Sequence, residues 1–161
     1  MATRKASPAP SGANASTSRS STAPSGSTAG YSGTPLVTKL GIKAGSVLGL
    51  FGAPDGFTDL LVGLGEDVVV RTRAGANLDV IVTFHTERAH FEARLPVLLR
   101  SMDRNGALWV VWPKKAAKVP TDMTEDVVRE VALPLGLVDN KVCAIDATWS
   151  GLRIVWRREN R

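Results

Sequence analysis

Four stretches of this chain are apolar almost without interruption: Val47 to Phe51, Val68 to Val70, Leu78 to Phe84 and Ala107 to Trp112. A strand with one face in water alternates apolar and polar residues, whereas a strand covered on both faces need not. These runs therefore predict central strands of a parallel sheet with helices above and below. Between them the period changes. From Thr86 to Asp103, the residues Phe91, Leu95, Leu98, Leu99 and Met102 share one helical face, and from Thr124 to about Leu135 the stripe is Val127, Val128, Val131, Ala132 and Leu135, stopped by Gly136. Shorter helices are expected from Thr34 to Leu40, where Pro35 sits in the first turn and its missing N–H costs nothing, and over Phe57, Leu60, Leu61 and Leu64. Two β-rich runs close the chain, Lys141 to Asp146 and Leu152 to Arg157, and predict an antiparallel hairpin at one edge. The fold class that follows is α/β: a Rossmann-like three-layer sandwich whose sheet is mostly parallel, with a C-terminal antiparallel hairpin. One step is ambiguous. Only Arg71 to Asn77 joins the second strand to the third, and fully extended that segment reaches roughly 23–25 Å. An extended return and an antiparallel second strand both satisfy it.

The first thirty residues cannot join this core. Apart from Met1 they hold no large apolar side chain, and 25 of the 30 are Ser, Thr, Ala, Gly or Pro, so residues 1–29 are expected to be a disordered tail ahead of a single domain, residues 30–161. The tail also explains much of the charge. Of the formal +5, residues 1–29 supply +3 through Arg4, Lys5 and Arg19, and residues 157–161 supply +2, which leaves the body neutral. A surface built to neutralise phosphates would carry its excess of cations across the fold, so nucleic-acid binding, confined here to the basic termini, is the least favoured reading. The lone Cys143, inside Val142-Cys143-Ala144-Ile145, reads as core filler in a reducing compartment. His85 and His90 lack partners at metal-ligand spacing, so no metal site is expected. No apolar run nears the roughly 20 residues that span a bilayer, and a cytoplasmic protein without membrane contact is expected.

In a parallel α/β sheet, ligands meet the loops at the carboxyl ends of the strands. That rule gathers Gly52-Ala53-Pro54-Asp55-Gly56 after the first strand, His85 after the third, Trp112-Pro113-Lys114-Lys115 after the fourth and the turn Thr148-Trp149-Ser150-Gly151 on one rim, with Tyr31-Ser32-Gly33 at the same end. The candidate ligand-binding residues are thus Gly52, Asp55, Gly56, His85, Trp112, Lys114, Lys115, Trp149 and Ser150. Lys114 and Lys115, on a loop expected to lead into a helix N-terminus, have the ingredients of an anion site. Trp149 would add a flat apolar face. His85 is a general-base candidate by its ordinary pKa, with Glu87 as its carboxylate partner, and Asp55 is a second catalytic candidate. Each has a structural alternative: Asp55 as a helix cap, Asp122 with Glu125 as a capping pair, Trp109 as core, and Trp112 and Trp149 as core or rim packing.

The runs Gly30-Tyr-Ser-Gly-Thr-Pro-Leu36, Trp109-Val-Val-Trp-Pro-Lys-Lys115, Thr121-Asp-Met-Thr-Glu-Asp126 and Asp139-Asn-Lys-Val-Cys-Ala-Ile-Asp-Ala-Thr-Trp-Ser-Gly-Leu-Arg153 resemble a bacterial domain-of-unknown-function family over about residues 30–158. The order of elements also resembles class I methyltransferases with the middle βα units deleted. That resemblance implies a cofactor, S-adenosylmethionine, on Gly52 to Gly56. Two departures argue against it: the turn lacks a Gly-x-Gly pattern, and Arg71-Thr72-Arg73 stands where a ribose-binding carboxylate would end the second strand.

The sequence therefore favours a non-catalytic domain that binds a small anionic or nucleotide-like ligand, or a partner protein, at the carboxyl rim. A divergent S-adenosylmethionine-dependent methyltransferase is the alternative. Deleting residues 1–29 should leave the thermal midpoint unchanged within scatter, because a segment with no apolar side chains to bury contributes no buried area. Differential scanning calorimetry of the full and trimmed chains checks this, and a drop of several degrees would show that the tail docks.

Overall fold

The computed structural model describes residues 33–161. The expected tail, residues 1–29, together with Tyr31 and Ser32, lies outside the described residues. Among the described residues the chain runs through α1 (Leu36–Leu40), β1 (Val47–Phe51), β2 (Val69–Arg71), β3 (Leu78–Phe84), α2 (Arg88–Ser101), β4 (Met102–Pro113), α3 (Glu125–Ala132), β5 (Leu137–Ala144) and β6 (Trp149–Trp156). The strands form one six-stranded sheet in the order β2-β1-β3-β4-β6-β5. β2, β1, β3 and β4 pair in parallel, and β6 runs antiparallel between β4 and β5. The expected α/β sandwich with its antiparallel hairpin is the observed fold.

Two apolar layers hold the sheet. On one face, Leu36, Val37, Leu40, Phe57 and Leu61 cover Leu48, Leu50, Val80, Val82, Trp109 and Val111. On the other, Phe91, Leu95 and Leu98 of α2 and Val128 and Ala132 of α3 cover Ile81, Leu108, Val110, Leu152 and Ile154. Gly41 ends α1 in the left-handed region at φ 77, with N–H bonds from Gly41 to Thr38 and from Ile42 to Val37. The buried indole Nε1 of Trp109 donates to the Leu40 carbonyl at 3.0 Å, fastening the helix end to the middle of the sheet.

Several expectations are corrected. The helix expected over Phe57 to Leu64 is a single 3-10 turn, Phe57–Leu60. Gly56 and Gly63 both sit at positive φ, outside the right-handed helical region, and break the expected helix at both ends. Val69 and Val70 were expected to be covered on both faces; they are 48% and 41% exposed, because β2 is a three-residue edge strand. The β2 direction is parallel to β1, with Val47 opposite Val69, and the extended return to β3 is tied by the Gly75 N–H to the Ser101 hydroxyl at 3.2 Å. Leu135 is 48% exposed, in a 3-10 turn beyond α3. The hairpin turn is shorter than expected, since Trp149, Ser150 and Gly151 already belong to β6.

Before its regular part β4 is irregular, with its register to β3 shifting between Leu78 and Val80. Gly106 lies there, and a Cβ on it would stand 2.9 Å from the Asp79 carbonyl and 3.0 Å from those of Asp103 and Leu78. Three backbone oxygens cannot step aside as a side chain can. Gly106→Ala should therefore lower stability by about 2–3 kcal/mol, read as a lower urea midpoint at unchanged slope.

Candidate functional site

The first two connections of the sheet set where a crevice forms. β1 has β2 on one side and β3 on the other, so the chain leaves β1 in one direction and returns to continue in the opposite one. At such a switch point the loops after the flanking strands diverge and open a crevice at their carboxyl ends. Here those loops are Gly52 to Gly56 and His85 onward.

Gly52 sits at φ +69, and a Cβ there would come within 3.1 Å of the Phe84 carbonyl, so glycine lets the turn fold against the end of β3. Gly56 sits at φ +83. Asp55 is exposed and makes no helix cap, since the turn that follows has no side-chain cap bond. The N–H groups of Ala53, Asp55 and Gly56 make no hydrogen bond among the described residues.

His85 is 3% exposed. Its Nε2 lies 2.7 Å from the Thr83 hydroxyl and its Nδ1 lies 3.0 Å from Nδ1 of His90, so both ring nitrogens are engaged, and one of the two Nδ1 atoms must carry the proton of the bond between them. Burial, then the positive charge of His90 and Arg94 when present, lowers its pKa to about 4. The expected partner Glu87 is exposed, at the N-cap position of α2. A histidine held this way is neutral at physiological pH and has no free lone pair aimed at a ligand. Sequence reasoning missed Thr83 and His90; the signal was the helix start at Arg88, which turns His90 back toward the end of β3.

The lysine loop also differs in detail. Lys114 is partly buried, its N–H donating to the Thr148 carbonyl at 2.7 Å, and the exposed Lys115 opens a 3-10 turn rather than a helix. Neither ammonium has an ion pair among the described residues. The helix comes only at Glu125, capped by the Thr124 hydroxyl, which accepts from the Val127 N–H at 3.1 Å. The expected capping pair of Asp122 with Glu125 is not made: Asp122 accepts from the Arg88 N–H at 2.7 Å and so caps α2 instead.

Lys114 and Trp149 lie at the same end of the sheet, because Pro113 pairs with Trp149. Trp149 is partly buried, edge-on to Phe84 at 5.1 Å, and Phe84 is edge-on to Phe57 at 4.9 Å. The Asp146 carboxylate shapes the turn before it by accepting from the N–H groups of Thr148 and Trp149, both at 2.8 Å. Two expected neighbours do not join this aromatic row. Trp112 is 6% exposed in the α2 and α3 layer, and Ser150, paired with Trp112, points to that opposite face because side chains alternate along a strand. Cys143 is 7% exposed, and burial pushes its thiol pKa up, as filler would. The described residues hold no group of three or more His, Cys, Asp or Glu able to bind a metal, and no helix among them is long and apolar enough to cross a membrane.

Solved structures place this fold. A SAM-dependent methyltransferase from Aquifex aeolicus superposes with a TM-score of 0.59 at 15% identity, covering 74% of this chain and 86% of its own. A putative type 11 methyltransferase from Sulfolobus solfataricus gives 0.56 at 11%, covering 76% and 89%, and DhpI in its SAH complex gives 0.55 at 14%, covering 77% and 84%. The fold is therefore methyltransferase-like Rossmann. No family model and no curated protein matches the chain, so membership of the bacterial family expected above has no support from them.

The histidine pair sets a pH dependence. The unfolded chain protonates His85 near its ordinary 6.5, the folded chain only near about 4, so stability is full above 6.5 and is lost as pH falls toward 4. Urea unfolding from pH 7.5 to 4 should show that loss, and His85→Gln should flatten it within this window.

Proposed function

We propose that this chain is a divergent S-adenosylmethionine-dependent methyltransferase whose cofactor lies in the crevice between the Gly52–Gly56 turn and the end of β3. One observation carries the reading: a positive-φ glycine ends the first parallel strand at the switch point of a methyltransferase-like sheet. The fold thus moves the preference away from the binding module favoured by the sequence. Residues on the turn fit the amino-acid half of the cofactor: the N–H groups of Ala53, Asp55 and Gly56 suit its carboxylate, and the exposed Asp55 side chain suits its ammonium. The ribose half is not matched, because β2 ends in the exposed Arg71 and offers no carboxylate to the two hydroxyls. When bound, the cofactor supplies a methyl group on a cationic sulfur. Trp149 and Phe84 would border the crevice on the α1 face, and His85, buried and neutral, packs its floor rather than moving protons.

A second reading has its own observation. Arg71, Lys114 and Lys115, cations without carboxylate partners among the described residues, favour a non-catalytic domain for a small anionic or nucleotide-like ligand, or a partner protein, at the same rim. Titration calorimetry separates the two. S-adenosylmethionine should bind with Kd below roughly 100 μM, about −5.5 kcal/mol, and Asp55→Asn should weaken it about tenfold. Absence of that heat, with binding of ADP lost in a Lys114→Ala/Lys115→Ala variant, would defeat the methyltransferase reading and leave the anion-binding one.

A further inference from the structure

A cavity of about 390 Å³ opens at the amino ends of the strands, lined among others by Lys43, Ser46, Asp79, Asn105 and Arg153. It lies about 20 Å down β3 from the rim, at 3.3 Å per residue, and stands independently of the methyltransferase reading.

Arg153 is the unusual member. It is paired in register with Trp109 on one side and Lys141 on the other, and so lies on the α1 face of the sheet. The residue is partly buried, and among the described residues its guanidinium has no hydrogen bond and no ion pair. Burial, with the charge of Arg161 adding to it, pulls its pKa below the usual arginine range. A partly desolvated cation with further cations nearby and no carboxylate paired to it is a costly arrangement unless an anionic group arrives. The cavity contains one carboxylate, Asp79, and it is partly committed: one oxygen accepts the Val47 N–H at 2.8 Å, pinning the start of β1. Its other oxygen, the Ser46 hydroxyl and the Asn105 amide remain for a ligand's polar groups. Ser46 is itself held, its oxygen accepting the Lys43 N–H at 3.1 Å. The neighbouring N–H groups of Ala44 and Gly45 make no hydrogen bond among the described residues.

We propose that this cavity binds a phosphate monoester, its oxyanion between Arg153 and Lys43 and a hydroxyl of its organic part on Asp79. A fork of guanidinium donors and an ammonium suit the oxyanion. The volume exceeds what bare phosphate needs and falls in the range of small-molecule sites. The carboxylate discriminates further: a hydroxyl of the ester's organic part reaches it while the oxyanion stays on the cations, and bare phosphate held by those cations leaves it unpaired.

Amide and arginine Nε–H NMR of the full chain, titrated with ribose 5-phosphate, AMP and inorganic phosphate in turn, tests this. The esters should shift the signals of Ala44, Gly45, Asn105 and Arg153 with Kd below about 1 mM, and inorganic phosphate should bind several-fold more weakly. Between the esters, equal affinity places recognition in the sugar phosphate, and tighter AMP adds the base; both support the proposal. Arg153→Gln should cost about tenfold, and the exposed Lys43→Ala should weaken binding at an unchanged thermal midpoint. No shift at 10 mM, a rough upper bound for a specific site, inorganic phosphate binding as tightly as the esters, or full affinity in both variants overturns it. In the last case Arg153 merely lays its stem along the sheet.

Discussion

The arrangement depends on one buried hydrogen bond, from the Trp109 indole to the Leu40 carbonyl. An unpaired indole N–H in the core would cost roughly 1–3 kcal/mol, and the last carbonyls of a helix have no partner within it. Each group meets the other's need. The bond also fixes α1 across the middle of the sheet, which sends the chain down to the amino end and lets β1 rise beside β3 with its carboxyl end at the rim. The glycine turn and the amino-end cavity are both placed by that crossing.

A second set of constraints ties the helices of the other face. Arg129 bonds Glu125 on its own helix and Asp139 on β5 at 3.0 Å, while Arg88 joins Glu92 and Glu130 at 2.9 and 3.0 Å and so links α2 to α3. These pairs are exposed enough that solvent screens them, and they hold register more than they stabilise. The stability of the layer lies in Phe91, Leu95, Leu98 and Val128 against the sheet.

The sheet was legible because burial on both faces writes itself as continuous apolar sequence, and Leu78 to Phe84 and Ala107 to Trp112 are buried in that way. Val69 and Val70 carry the same letters and lie at an open edge, since nothing in three residues says whether a neighbour follows. The helix expected after β1 failed for a local reason, the left-handed glycines at 56 and 63, while the helix at Arg88 was clear from Phe91, Leu95, Leu98 and Leu99; Met102, expected on the same face, instead opens β4. At the site, the rule about strand ends found the rim but not its inner partition. Side-chain alternation sends Trp149 to one face and Ser150 with Trp112 to the other, and that parity depends on where β6 begins, a boundary that the sequence leaves uncertain by about two to four residues. The histidine pair was invisible for a related reason: five residues apart across a strand-to-helix corner, His85 and His90 meet only once the corner is built.

The segment after β4 is fastened at both ends. Lys114 is held to Thr148, and beyond the short turn the Thr121 hydroxyl donates to the Thr86 carbonyl at 2.6 Å while the Asp122 carboxylate grips the first N–H of α2. A strap anchored so closely has little slack. Its two lysines stand on backbone already ordered in folding, so a ligand reaching them would not have to supply the ordering entropy that weakens most loop-borne sites. The same tautness carries a cost in versatility: the strap cannot swing aside without uncapping α2, so the width of this end of the sheet is set by a helix cap.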